Sequence, residues 1–282
     1  MMRDDEILSR DGSGARLTDR VLGAVEREMD VDAGVEPSDI AEFEDLHVCG
    51  QEATFELAAL SDIDEDTTVL DVSSGLGGAA RTLATEFGCH VVGVDLTGEF
   101  CRAAEELTRL VDLDDRVSFR HTDPLDLPFD DDTFDVVFLQ DLAADVEYKA
   151  RLADELARVL RPSGRLAVHE VLAGSVEPLR APMPLAENGA VGSLVQPETF
   201  VETMADAGFE ADRWLDATVE AIEWYHSVVE RVESTGDDGL PPGFEHVVRE
   251  DFSSVCRTMW RNADEDRARV YYGVFKPQPA AV

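Results

Sequence analysis

Short apolar runs rich in β-branched residues alternate with longer amphipathic stretches through the middle of the chain. The runs fall at 68–72 (TVLDV), 90–96 (HVVGVDL), 117–121 (VSFRH), 134–140 (FDVVFLQ) and 164–171 (GRLAVHEV). Helix-like spacing fills 78–87, 98–112 and 146–160 between most of them. Strands alternating with helices predict βαβ units and a parallel sheet. Upstream, 17–29 and 52–60 place apolar residues at helical spacing. Downstream, "PETFVETMADAGF" at 197–209 reads as a helix with proline near its start and glycine after its end. "EADRWLDA" at 210–217 and "RVYYGVFKP" at 269–277 predict two more strands. Amphipathic helices over about 218–233 and 243–262 lie between these two strands, parted by the loop "STGDDGLPPGF". The chain has no internal repeat and no low-complexity segment.

The first run ends in "VLDVSSGLGGAAR", residues 69–81. The predicted turn is Ser73–Gly78, with a helix from about Ala79. Glycine allows positive φ and a close backbone approach. The following helix start offers unpaired N–H groups and a partial positive charge. Three readings fit: a bare strand–helix turn, a dinucleotide loop and an S-adenosylmethionine loop. Gly75-x-Gly77-x-x-Ala80 fits the dinucleotide pattern. Asp71, Gly75 and Gly77 also fit D-x-x-x-G-x-G, with the acid on the strand. Asp95 closes the second run and is placed to accept both hydroxyls of a ribose. That role suits either cofactor. Its structural alternative is a helix cap, for which Thr97 is the better candidate.

The later blocks choose between the cofactors. Asp123 follows the third run, Leu127-Pro128-Phe129 comes just after, and "FDVVFLQ" follows. "ELARVLRPSGRLAVHEV" at 155–171 completes the series. In this order the blocks resemble class I S-adenosylmethionine-dependent methyltransferases and not NAD dehydrogenases. "DLHVCGQEATFELAAL", "GLGGAAR" and "HEVLAG" followed by "PMPLAENGAVGSLVQPETF" bring the resemblance closest to the sarcosine/dimethylglycine N-methyltransferase-like group. It extends from about residue 17 to 277.

The resemblance implies one α/β domain over 1–282: a Rossmann-like seven-stranded sheet, mostly parallel with an antiparallel terminal strand, with helices on both faces and a helical lid insertion. It divides the chain into an N-terminal helical segment (1–60), a cofactor-binding core (61–173), a substrate lid (174–262) and a terminal strand and tail (263–282). Asp71, Ser73, Gly75 and Gly77 match the loop around the methionine part of the cofactor. Asp95, Leu96 and Thr97 match the ribose and adenine side. Thr122, Asp123 and Pro124 match the adenine edge, and Gln140 and Asp141 match the pair under the sulfonium. Three residues depart from the family pattern. Ser73 stands where a glycine is usual, Pro124 where a small residue is usual, and Asp141 where a histidine is frequent. Asp141 and His47 are the candidates for contact with the methyl acceptor. The implied activity is methyl transfer to a small molecule, with an amine favoured. Alternatives are a C-methyltransferase of quinone or isoprenoid-type lipids and a cofactor-binding protein without catalysis.

The remaining residues test that picture. Trp214, Trp224, Tyr225 and Trp260 either line the lid or belong to the core, and the core is the simpler role. His169, inside the fifth run, reads as structural. Arg257 and Arg261 read as surface ion pairs rather than a carboxylate clamp. The four cysteines, Cys49, Cys89, Cys101 and Cys256, lack metal or disulfide spacing, so no metal is expected. The polar start and the lack of a long apolar run imply a cytoplasmic protein without integral membrane association.

Charge adds an environmental constraint. The chain carries 61 acidic and 24 basic residues, a net charge of −37. Lys149 and Lys276 are its only lysines. No basic stripe exists for phosphate contacts, which argues against nucleic-acid partners. Acids spread along the whole chain, with lysine depleted, resemble salt-in halophilic proteins. Self-repulsion destabilises such a chain in dilute buffer. In molar salt the screening length falls to ~3 Å and the repulsion is quenched. The melting temperature is therefore expected to rise from low to molar KCl. A flat or falling melting temperature over that range contradicts the halophilic reading.

Overall fold

The structure, a computed structural model, describes residues 17–29, 31, 34–41, 47–141, 149–181, 194–235 and 252–278. Seven strands form one sheet: β1 Thr68–Val72, β2 His90–Asp95, β3 Val117–His121, β4 Phe134–Gln140, β5 Leu160–Ala173, β6 Phe209–Asp216 and β7 Ala268–Pro277. Among the described residues the helices are α1 Leu17–Glu28, α2 Pro37–Ile40, α3 Gly50–Leu60, α4 Gly78–Phe87, α5 Gly98–Leu110, α6 Lys149–Val159, α7 Pro197–Asp206, α8 Thr218–Thr235 and α9 Phe252–Asp264.

The strand order is β3-β2-β1-β4-β5-β7-β6. The first five strands pair in parallel, and β7 runs antiparallel to both β5 and β6. This is the sheet that the resemblance implied. The order reverses between β1 and β4. The chain departs to opposite sides there, and a crevice opens at the carboxyl ends of those strands.

Parallel strands covered on both faces need nearly continuous apolar runs. β4, FDVVFLQ, has six of seven residues buried. Val69, Val91, Val136, Phe138 and Ala167 belong to one core, with residues of α3, α4, α8 and α9. Leu70, Val137, Leu139, Leu166 and Val168 belong to the other, with residues of α6 and α7. A third cluster joins α1, Ile40 of α2 and the outer side of α5 around Leu76 of the glycine loop. Leu17 N–H donates to Glu99 Oε2 at 3.2 Å and fixes the start of α1 on α5.

Two boundaries differ from the sequence expectation. The fifth strand begins at Leu160, ahead of the Arg161-Pro162-Ser163-Gly164 turn. Phe134 pairs with Leu160 and Val136 with Arg165, so the extra residues form a bulge inside the strand. Gly164 fits there because a Cβ would stand 2.7 Å from Asp135 O. The helix expected over 243–262 is described only from Phe252, and most of the loop before it lies outside the described residues.

One buried cation ties the loop to its neighbours. Arg81 is 1% exposed. Its guanidinium donates to Leu76 O in the loop, to Ala104 O at 3.1 Å and to Thr108 Oγ1 at 2.7 Å on α5. Removing such a donor leaves buried acceptors unpaired. Arg81→Met is expected to lower unfolding stability by about 3 kcal/mol in denaturant melts in molar KCl. A loss below about 1 kcal/mol would show that these carbonyls find other partners.

Candidate functional site

The glycine loop is shaped by three left-handed residues. Ser73 has φ 66°, Gly75 φ 53° and Gly77 φ 86°. Ser74 N–H donates to Val94 O at 3.0 Å and Gly77 N–H to Ser74 O at 2.8 Å. α4 then starts at Gly78, with Gly77 as its cap residue. A Cβ at Gly77 would stand 2.4 Å from the Phe119 ring, and one at Gly93 would stand 2.5 Å from it. Both positions need glycine so that Phe119 of β3 can pack beneath the loop. A Cβ at Gly75 would meet nothing within 4 Å. The loop faces open space there. Ser73 adopts a backbone conformation that glycine reaches without strain. That explains the usual glycine and shows that serine is accommodated with the same geometry.

Asp95 connects the loop to the end of β2. It is 3% exposed. Its Oδ2 accepts from Gly75 N–H at 3.0 Å and its Oδ1 from Thr97 N–H at 2.8 Å. Thr97 occupies the cap position of α5 but makes no side-chain cap bond. Thr97 is thus the cap residue that the sequence favoured, and Asp95 holds its N–H in place from two residues before. Burial pushes the Asp95 carboxyl above its ordinary range, against the opposing pull of the Thr97 and Gly75 N–H groups. Each oxygen keeps capacity for a further donor. Leu96 stands beside it, 40% exposed. Thr122 N–H donates to Asp95 O at 2.9 Å and holds the end of β3 against β2. Asp123 is exposed, Pro124 is buried, and Asp123 Oδ1 accepts from Leu125 N–H at 2.9 Å.

Asp71 lies beneath the loop with its Oδ2 buried and without a hydrogen-bond partner. Burial, reinforced by the Asp95 charge and opposed by Arg81, pushes its carboxyl up to about 7. Ser74 Oγ, two residues before the second left-handed glycine's neighbour Leu76, is also buried and unpartnered. Serine is a common residue in turns, so its type alone does not mark Ser74.

Across the crevice, Gln140 ends β4. Its Oε1 accepts from Thr54 Oγ1 at 3.4 Å, while its Nε2 is buried without a partner. His47 Nε2 lies 2.8 Å from Gly50 O, so that nitrogen carries the proton. Burial lowers the His47 pKa to about 4. Asp141 turns out of β4 with φ 53°. Its N–H donates to His169 O at 2.9 Å, and its Oδ2 accepts from Val48 N–H at 3.2 Å. The two acceptor-side candidates, His47 and Asp141, are thus brought together around the start of α3. His169 is fully buried, and neither ring nitrogen has a partner. Its ring centroid is 4.6 Å from Tyr272 and 6.3 Å from His47. Burial first, and His47 second, lower its pKa to about 3. Periodicity alone shows a strand residue here and carries no sign of unsatisfied ring nitrogens.

The other expectations resolve simply. Trp214 stacks on Phe200 and Tyr271, and Tyr225 is a core residue. Trp224 and Trp260 pack against the same core. Arg257 pairs with Glu233 at 3.3 Å. All four cysteines are buried free thiols, and burial pushes Cys49, Cys101 and Cys256 up to about 12. Among the described residues no cluster suits a metal ion, and no helix is long and apolar enough to cross a membrane.

The Asp71 geometry has a measurable sign. Its pKa is raised on folding, from 3.8 to about 7. The folded state holds a proton that the unfolded chain has released, so this group's contribution to stability is lost as pH rises from about 4 through about 7. Asp71→Asn removes that loss. The stability of the variant relative to wild type is expected to rise between pH 5 and pH 8, by up to about 3 kcal/mol. Paired denaturant melts in molar KCl measure it, and a difference independent of pH means that Asp71 is ionised in the folded protein throughout.

Residues 70–168 match the family described as Methyltransferase domain. Over 167 residues the chain is 29% identical to the glycine/sarcosine/dimethylglycine N-methyltransferase of Actinopolyspora halophila, a match covering 59% of this chain and 30% of that protein. It is 36% identical over 128 residues to the demethylmenaquinone methyltransferase of Clavibacter sepedonicus, covering 45% of this chain and 51% of that one. The chain spans about half the length, or less, of these curated relatives. Among solved structures, phosphoethanolamine N-methyltransferase 2 of Haemonchus contortus, holding phosphomonomethylethanolamine and S-adenosylhomocysteine, superposes with a TM-score of 0.70 at 21% identity. That superposition covers 97% of this chain and 60% of the other. Residues 70–168 are thus similar to a methyltransferase domain, and the sheet built on them has the fold of the solved methyltransferase.

Proposed function

We propose that this protein transfers the methyl group of S-adenosylmethionine to a small-molecule acceptor, with an amine nitrogen favoured as the methylated atom. The observation that carries the reading is the buried, unpartnered Oδ2 of Asp71 beneath a loop that opens at Gly75. The ammonium of the cofactor satisfies that oxygen, directly or through water, and a cation there draws the carboxyl back to its charged form. Asp95 takes the ribose hydroxyls on its remaining lone pairs, and Leu96 covers the adenine. Thr122, Asp123 and Pro124 line the adenine edge. Ser73, Gly75, Gly77 and Thr97 shape the surrounding backbone.

The cofactor supplies a methyl group already activated on a sulfonium. The protein's share is orientation, exclusion of water and keeping the acceptor's lone pair free. With S-adenosylmethionine bound, an acceptor nitrogen would take the methyl group, and sulfur would keep the electron pair of the broken carbon–sulfur bond. A nitrogen that carried hydrogen then releases a proton. Gln140 Nε2 and the Asp141 carboxylate stand at the end of β4, where they bracket the methyl group. Asp141 attracts a cationic amine, which supports nitrogen over carbon as the acceptor. On this reading 61–173 holds the cofactor and 174–262 covers the acceptor, in a halophilic cytoplasmic protein.

Carbon methylation of a quinone is the second reading, favoured by the likeness to a demethylmenaquinone methyltransferase. The test is calorimetry with S-adenosylmethionine and S-adenosylhomocysteine in molar KCl, followed by mass spectrometry of cell extract incubated with enzyme and methyl-labelled cofactor. Both ligands are expected to bind. Asp95→Ala is expected to weaken both by about tenfold or more, ~1.4 kcal/mol, and label is expected on a nitrogen. Absence of binding by folded protein, or wild-type affinity in Asp95→Ala, overturns the cofactor assignment. Label on a ring carbon transfers the reading to quinones.

A further inference from the structure

One face of the sheet carries a row of polar side chains near its carboxyl-terminal edge. Gln140 on β4 is register partner to His169 on β5, and His169 is register partner to Tyr272 on β7. Phe138, Ala167, Val171, Val270 and Tyr272 all belong to the same core, so Gln140 and His169, two residues along their strands, share that face. Asp71 on β1 is register partner to Phe138, two residues before Gln140, and belongs to the cofactor cradle.

Two members beyond the cradle have unmet hydrogen-bonding capacity. Gln140 points its Oε1 at Thr54, and its Nε2 donor is buried and unpartnered. His169 is 0% exposed with both ring nitrogens unpartnered. A neutral imidazole has one donor and one acceptor to satisfy. Leaving each buried group unmade costs ~1–3 kcal/mol. A binding site is where such an arrangement persists, because a ligand supplies the missing partners.

The surroundings set the ligand's charge. Asp141 Oδ2 is anchored by Val48 N–H, beside Cys49. The Asp141 charge acts on both Cys49 and Tyr225, and Glu52, Glu56 and Glu220 act in the same sense on Tyr272. His47 and His169 are held neutral. A carboxylate or phosphate brought here meets like charge, whereas an amine with a hydroxyl meets an acid and a neutral donor–acceptor ring.

We propose that His169, with Gln140 beside it and Asp141, whose N–H holds the His169 backbone carbonyl, forms the acceptor subsite for an amine bearing no carboxylate or phosphate, such as an amino alcohol. The inference rests on the methyl-transfer reading and narrows it. It separates this chain from amino-acid methylation, in spite of the sequence likeness to sarcosine-type enzymes.

The test uses the full chain saturated with S-adenosylhomocysteine in molar KCl, with N,N-dimethylethanolamine and N,N-dimethylglycine as probes. The two differ in carrying a hydroxymethyl or a carboxylate group. Dimethylethanolamine is expected to bind at least about tenfold more tightly by calorimetry and to shift the ring nitrogen resonances lost in His169→Gln. His169→Phe is expected to weaken dimethylethanolamine by about tenfold or more while S-adenosylhomocysteine affinity stays within about threefold. His169→Gln, which keeps a donor and an acceptor, is expected to retain most of the amine affinity. Equal or tighter binding of dimethylglycine, binding of neither amine, or a parallel loss of S-adenosylhomocysteine in His169→Phe overturns the proposal. Failure of wild-type protein to bind S-adenosylhomocysteine is a different result, and it removes the methyl-transfer reading together with this one.

Discussion

A parallel sheet buried on both faces gives polar side chains few places to stand, and the carboxyl ends of its strands are the main one. Here Asp71, Asp95 and Gln140 occupy those ends, and His169 sits just inside the next. The apolar runs that hold the sheet together are thus also what concentrates its chemistry. Every strand interior that buries valine and leucine pushes the polar groups toward the crevice between β1 and β4. Once there, they are cut off from water and depend on one another or on a ligand.

The two halves of the crevice are built differently. On the cofactor side, backbone N–H groups satisfy Asp95 and leave a preset cradle. Arg81 is buried behind the loop and holds its Leu76 carbonyl, so the loop's shape is fixed from the protein interior. On the acceptor side, side chains answer side chains. The His47, Thr54 and Gln140 contacts run from α3 onto β4, and Asp141 returns to Val48. The first half is general to a nucleoside-binding loop, while the second half is where individuality enters.

That division explains what the sequence made legible. The strands at 68–72, 117–121 and 134–140 have the expected bounds, because short β-branched runs between breakers have few alternatives. The loop geometry was legible from Gly75 and Gly77. The identity of its ligand needed Asp123 and the "LPF" and "FDVV" blocks further along. The bulge at 161–164 was hidden because an Arg-Pro-Ser-Gly stretch reads as a turn whether or not the ladder resumes around it. Thr97 was legible as the cap position by residue type, while the bond from its N–H to the acid two places earlier was not. The unpartnered ring of His169 was invisible in the sequence, since it depends on three strands lying side by side. The core role preferred for Trp214 holds, since it stacks on Phe200 and Tyr271.

The order of strands has a consequence for how the chain reaches this state. β6 lies at the sheet edge, and its one strand neighbour is β7. β7 is separated from it in sequence by α8, α9 and the segment between them. β6 therefore emerges in synthesis before the strand that it pairs with exists, while β5 waits with an open edge of its own. Both core clusters also take residues from β7: Val270 and Tyr272 in one, Tyr271 and Phe275 in the other. Closure of the two hydrophobic layers is thus deferred to β7, the last of these seven strands in sequence. Long-range pairings of this kind slow folding and leave intermediates with unpaired edges. In a chain this acidic, the same net charge that burdens the finished protein in dilute buffer also keeps such half-made sheets apart.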